Sequence, residues 1–198
     1  MKTQKLIVIV AIVCLLVGAS GAAMARNDCP GGSIAGGTFD EIVINDFVDC
    51  SVVGVHVTGR VLVDTAGNFS MIGSLVENGD VRVKNSVSAI LVDNQVKNGR
   101  IVARGNTESF VIRNVVFGDS IRVVDDVSGG EFEEQQVATV LQNLVFGGNL
   151  SVLGNEKADV KENKVRDGNI ICRANDRLDS KDNNAFGGKV RCSKSFLD

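Results

Sequence analysis

Several sets of residues in this sequence have the type and spacing to do chemistry. Four cysteines, Cys29, Cys50, Cys172 and Cys192, lie outside the apolar N-terminal stretch that holds the fifth, Cys14. An even number of thiols suits disulfides. No two stand as C-x-x-C, and the single histidine, His56, has no Ser or Cys partner at a recognisable spacing, so a metal site or a nucleophile is disfavoured and His56 reads as structural. Arg82, Lys84, Arg104, Arg122, Arg173 and Arg191 recur at related positions, and cations in rows hold phosphate, sulfate or carboxylate groups. Asp125, Asp126, Glu131, Glu133 and Glu134 cluster in one segment. They could bind Ca2+ or serve as acid and base in sugar cleavage, although a charge run by itself reads first as a solvated loop. With no Trp and no Tyr, aromatic stacking on a ligand falls to Phe117, Phe146 and Phe186, which share one phase of the chain, interrupted by Arg166, and could offer an apolar stripe to a partner, although such residues more often pack at a corner.

What positions these residues is a repeat. From Val81 the chain reads VRVKNSVSAILVDNQVKNGR and from Ile101 IVARGNTESFVIRNVVFGDS, with further copies from Ile121, Leu150 and Ile170 and a fragment from Val190. The step is 20 residues except between Ile121 and Leu150, where about nine extra residues enter near 126–136. Earlier turns begin at Val61 and Ile42. Val61, Val81, Ile101, Ile121, Leu150, Ile170 and Val190 form one apolar column, and the residues two further on form another. The position between tolerates Arg, so each copy opens with a strand buried on one face. The sequence predicts two more inward columns, one through Met71, Leu91 and Val111 and one through Val76, Val96 and Val116.

Between those two columns stand Ser74, Asn94, Asn114, Asn143, Asn163 and Asn183. An amide at a fixed phase among buried residues needs partners. In a chain of stacked turns each Asn can bond its neighbours above and below, and Asn also accepts the unusual backbone angles of a bend. The expected fold is therefore all-β: a single-stranded right-handed parallel β-helix with about 20-residue turns. One copy alone could not bury its apolar edge, whereas a stack can. Helical repeats are disfavoured because helix formers gather only in Glu131 to Leu144, and the six-residue units of a left-handed β-helix do not divide 20. Cys172 and Cys192 fall one turn apart in one inward column, and Cys29 and Cys50 are about one turn apart at the other end. Stacked residues meet the Cα separation a disulfide requires, so the pairs expected are Cys29–Cys50 and Cys172–Cys192.

Residues 1–25 carry Lys2 and Lys5, an apolar run from Leu6 to Val17 and small residues ending in Ala23-Met24-Ala25. That is the pattern of a secretory signal peptide, with an apolar run too short for a membrane span. No later apolar run is long enough to span a membrane. The remainder divides into an N-terminal cap, 26–41, and the β-helix, 42–198, with its insertion and a C-terminal disulfide-closed turn. Of 21 Lys and Arg, only Lys2 and Lys5 lie in the leader, which has no acid. The exported part thus has 19 bases against 24 acids and a net charge near −5, which disfavours broad nucleic-acid binding.

The stretches CPGGSIAGGTFDEIVINDFVDCSVVGVHVTGRVLV and NIICRANDRLDSKDNNAFGGKVRC resemble small secreted bacterial proteins of the parallel β-helix type. Those have an early Cys pair around a G-T-[FY]-D segment, V-x-G-x-[LIV]-x-V turns and an Asn-rich last turn between two cysteines. The resemblance implies fold and export, and no activity. The architecture is also similar to that of pectin-degrading enzymes, but one fold hosts many functions. The expected function is an exported, non-enzymatic scaffold at the cell surface, or periplasmic or secreted, acting by adhesion, structure or ligand display. Binding of an anionic polysaccharide along the basic stripe is the alternative, and a polysaccharide lyase or hydrolase the third. No cofactor is expected.

Overall fold

The computed structural model describes Cys29 and residues 32–45, 48–64, 67–124 and 137–192. The chain coils into a parallel β-solenoid with about 20-residue turns, consistent with right-handed β-helix architecture, and each turn contributes a strand to three faces. Face 1 is the strand that opens each copy: Ile42–Asn45, Val61–Asp64, Val81–Lys84, the ends of the long strands Gln95–Arg104 and Val115–Val124, then Leu150–Leu153, Ile170–Arg173 and Val190–Cys192. Face 2 is an eight-stranded ladder from Gly32–Ala35 and Cys50–Val53 through Asn68–Ile72, Ser88–Val92, Glu108–Ile112, Val137–Leu141 and Lys157–Lys161 to Arg177–Lys181. Face 3 runs from Thr38–Phe39 and His56–Val57 through Leu75–Val76 and the starts of the two long strands to Leu144–Phe146, Lys164–Arg166 and Asn184–Phe186. All strand pairs are parallel and in the repeat's own register: Val81 pairs with Ile101 and Ile121 with Leu150.

Alternation decides what goes inside. The columns through Ile101, Ala103, Leu91 and Val96 are buried up to the last turn, where Val190 is 43% exposed, and Phe69 and Met71 fill the earlier turns. Nearly every inward atom belongs to Val, Ile, Leu or Ala, whose branched or compact side chains pack on a pleated sheet. The described part of the segment 131–144, where helix formers gather, holds no helix: it is strand at Val137–Leu141, bends at Gln142 and Asn143, and is strand again from Leu144. Ladder hydrogen bonds on both sides outweigh a helix propensity of a few tenths of a kcal/mol per residue. Part of the expected N-terminal cap, Gly32–Ala35 and Thr38–Phe39, is itself strand in register with the following turn.

Corners carry their own logic. At the bend from face 2 to face 3 the residue with positive φ is the one before the ladder Asn: Gly73, Asp93, Arg113, Gln142, Glu162 and Asp182. The expectation that Asn itself takes the bend is thus corrected. The outward residue turns left-handed, which leaves the next residue pointing inward to bond its neighbours. Asn94 accepts from Ser74 N at 3.0 Å, and its own N and Nδ2 both donate to Asn114 Oδ1 at 3.0 Å. Asn94 Nδ2 also donates to Met71 O at 2.8 Å in the preceding turn. The pattern repeats through Asn114, Asn143 and Asn163 to Asn183.

Both disulfides pair as expected. Cys29–Cys50 has a Cα separation of 6.0 Å, and Cys172–Cys192 joins partners in direct register at 4.3 Å. Each closes a loop of about one turn, worth roughly 3 kcal/mol by loop-closure entropy. Reduction should lower the melting midpoint by roughly 5–10 °C per bridge. A thermal melt with and without reductant checks this, and coincident curves would refute it.

Candidate functional site

The outward residues of face 1 stand one and three places along each strand. The first of these columns reads Leu62, Arg82, Val102, Arg122, Ser151, Ile171 and Arg191, and the second Asp64, Lys84, Arg104, Val124, Leu153 and Arg173. The sequence-predicted stripe is therefore divided. Arg82, Lys84, Arg104 and Arg122 occupy three successive turns, whereas Arg173 and Arg191 lie beyond Ser151, Leu153 and Ile171. Lys84 and Arg104 are direct register partners, about 4.8 Å apart along the coil.

Those four cations and Arg100 line a shallow depression of about 550 Å³. Its floor is Val102, Val124 and Leu153, its far rim Ser120, Asn149 and Ser151, and no carboxylate lines it. Arg100 was not legible as part of the stripe. It stands at the face 3 to face 1 corner of the long strand Gln95–Arg104, two residues before the outward Val102, ahead of the position at which each copy begins. Asp80 orders both guanidiniums: Arg82 donates from Nε and Nη2 at 2.9 and 2.6 Å, and Arg100 from Nε at 3.0 Å. Burial alone would raise the Asp80 pKa, but the hydrogen bonds from Arg82 and Arg100 outweigh it and hold this carboxyl below its usual range. It stays ionised at neutral pH and fixes two cations at one edge of the depression.

A second depression, about 640 Å³, lies beside the first at the same corner and has mixed charge, with Asp40, Glu41, Arg60, Asp80 and Arg82 on its walls. Its carboxylates are engaged: Glu41 pairs with Arg60, Asp40 accepts from Thr58 Oγ1 at 3.2 Å, and Asp80 is bound as above. Among the described residues no three His, Cys, Asp or Glu side chains converge as metal ligands. The calcium candidates Asp125, Asp126, Glu131, Glu133 and Glu134 lie outside the described residues, as does the expected signal peptide.

Phe117 and Phe146 stack on face 3 with centroids 4.9 Å apart and planes 3° from parallel. Phe186 sits apart from them beyond Arg166 and is 56% exposed. The three therefore form a stacked pair and a separate end-turn ring. His56 Nε2 approaches Glu77 Oε2 at 3.2 Å on face 3.

Sequence reasoning missed two further stacks at the other corners. Ser86, Asn106, Asn155 and Asn175 repeat the amide ladder between faces 1 and 2: Ser86 N donates to Asn106 Oδ1 at 2.9 Å, and Asn155 N and Nδ2 donate to Asn175 Oδ1 at 3.0 Å. The 20-residue step was visible in Asn155 and Asn175, but the insertion falls between Asn106 and Asn155 and hides the column. Between faces 3 and 1, Asn149 Oδ1 accepts from Asn169 N, and Asn169 Oδ1 accepts from Lys189 N. This stack runs opposite to the others, each side chain serving the turn that follows.

Comparison with known proteins matched the chain to no protein family, no curated protein and no solved structure.

Proposed function

We propose that the chain is an exported, non-enzymatic scaffold whose rigid face 1 holds an anionic polysaccharide. One observation carries the reading: five cations converge on a depression that no carboxylate lines. Cations repeating at the rung spacing, about 4.8 Å, suit a polymer with an acidic group on successive units better than a single small anion. The apolar floor would take the sugar rings' C–H faces. The leader-like N-terminus and the two disulfides support export, since disulfides persist in oxidising compartments.

Binding is expected for sulfated or uronate-rich chains, and it should weaken steeply as salt rises because exposed charges are screened over about 8–10 Å at physiological ionic strength. A contact between exposed unit charges contributes about 1 kcal/mol in water, so reversing two should weaken binding by at least ~10-fold. The experiment is titration of the mature protein and its Arg104→Glu/Arg122→Glu variant with heparin and polygalacturonate at low and high salt. Equal affinity of the two proteins, or no binding to either polymer, would reject the reading. Release of reducing or unsaturated sugars from the same polymers would favour a hydrolase or lyase instead.

A further inference from the structure

Face 2 presents an apolar outer side that no described strand packs over, its strands contacting chiefly their ladder neighbours. One outward column runs Val53, Ile72, Val92, Ile112 and Leu141, then continues into Lys161 and Lys181. The column beside it runs Ser51, Ser70, Ile90, Phe110 and Thr139, then continues into Asp159 and Asp179. Val53 is 41% and Ile72 38% exposed, and Ile90, Val92, Phe110, Ile112 and Leu141 are half-buried. A contiguous apolar patch of this kind on an otherwise charged surface marks a contact site.

We infer that this face is where two copies of the chain meet, related by a twofold axis along the coil. The charge pattern selects both the occupant and the axis. A twofold along the coil lays each strand antiparallel over the same rung of the second copy, so the two outward columns exchange places across the contact. Asp159 then meets the second copy's Lys161, and Asp179 its Lys181. Ile90 meets Val92 and Phe110 meets Ile112 in the same way. A twofold across the coil would instead set the charged last rungs over the Ser and Val rungs of the first turns and bury charges without partners, which is costly. Within one chain Lys161 already reaches Asp159 at 3.6 Å and pairs with Asp179, so the contact extends an existing network into one that is its own complement.

The dimensions are sufficient. Eight rungs about 4.8 Å apart, with strands of up to five residues at about 3.3 Å each, give a footprint on the order of 600 Å². Side-chain relief raises the accessible area toward the ~800 Å² per partner that a stable interface buries. Two such sheets would pack about 10 Å apart with their side chains interdigitating.

Sedimentation velocity on the mature protein over a concentration series tests this, with circular dichroism confirming that each variant is folded. The wild type should sediment at twice the monomer mass. Ile112→Lys should be monomeric. Asp159→Lys should weaken association at least ~10-fold, and the exchanged pair Asp159→Lys/Lys161→Asp should restore it. All three side chains point outward, so folding is not at stake. Ile112→Lys should also keep the polysaccharide affinity of face 1, which separates failure of this inference from failure of the binding reading. A wild type that stays monomeric, or a dimer that persists in Ile112→Lys and Asp159→Lys, overturns the proposal.

Discussion

Asn114→Ala is expected to lower the unfolding free energy by about 4 kcal/mol, as much as a large core truncation. Asn114 is fully buried. Its Oδ1 accepts from Asn94 N and Nδ2 at 3.0 Å, and its Nδ2 donates to Leu91 O at 2.8 Å and to Asn143 Oδ1 at 3.1 Å. Alanine strands the Asn94 backbone N–H in an apolar interior and strips the Leu91 carbonyl and Asn143 Oδ1 of a donor. Each buried group stranded in this way costs about 1–3 kcal/mol, against the ~1 kcal/mol net gain of an ordinary hydrogen bond. The effect passes along the stack, because Asn94 loses the partner that orients it toward Met71. Asn184→Ala, on an exposed strand position one residue past the same ladder, should change stability by less than about 0.5 kcal/mol. Chemical denaturation of the two variants checks the pair. Equal midpoints would mean that the ladder contributes no more than a surface amide.

Gly168→Ala is the second large effect, with an expected cost above ~3 kcal/mol for a single methyl group. Gly59, Gly79, Gly99, Gly148, Gly168 and Gly188 stack at the bend from face 3 to face 1, and a Cβ on Gly168 would lie 1.9 Å from Gly148 O and 2.6 Å from its carbonyl carbon. The same addition to Gly99 would meet Gly79 O at 2.1 Å. Both obstacles are backbone held by ladder bonds, so relief requires the turns to separate locally and those bonds to lengthen. Overpacking of this kind ordinarily costs 1–3 kcal/mol where side chains can shift, and here none can. One turn departs from glycine: Asp119 stands below Gly148 in the stack, and the register slips there so that Gly99 faces Gly118. Gly32→Ala, with open space around the new Cβ, is the control and should be nearly silent. Failure of Gly168→Ala to melt below Gly32→Ala would show that the turns are looser than their geometry implies.

Much of this was legible in residue types alone. A column such as Val81, Ile101, Ile121 says which residues share a face, because strand alternation and a constant step leave no other interior. Asn94, Asn114 and Asn143 say that the interior holds a bend, because amides there must find one another. What was not legible lies at the corners. The residue that turns left-handed proved to be Arg113 or Gln142 and not the Asn beside it, since a ladder Asn must point inward and only its neighbour is free to invert. The basic stripe was legible with Val124 and Leu153 as its breaks, which set Arg173 and Arg191 apart; Arg100, at the corner before Val102, was not. The outer side of face 2 escaped notice for another reason: attention to inward columns treats every alternate residue as solvent, and Ile90, Phe110 and Ile112 are alternates that are not polar.

The sequence by itself thus determined the period, the inward columns, the amide ladder and the pairing Cys172 with Cys192. These are one-dimensional facts, and equal spacing along the chain becomes contact once turns stack about 4.8 Å apart. Only the tertiary structure decided how the three faces are inclined to one another. That inclination sets Arg100 at the corner beside the face 1 cations Arg82, Lys84, Arg104 and Arg122 and brings the Gly148 carbonyl to within a bond's reach of where a side chain on Gly168 would begin. No count along the chain contains an angle, so no count could have supplied them.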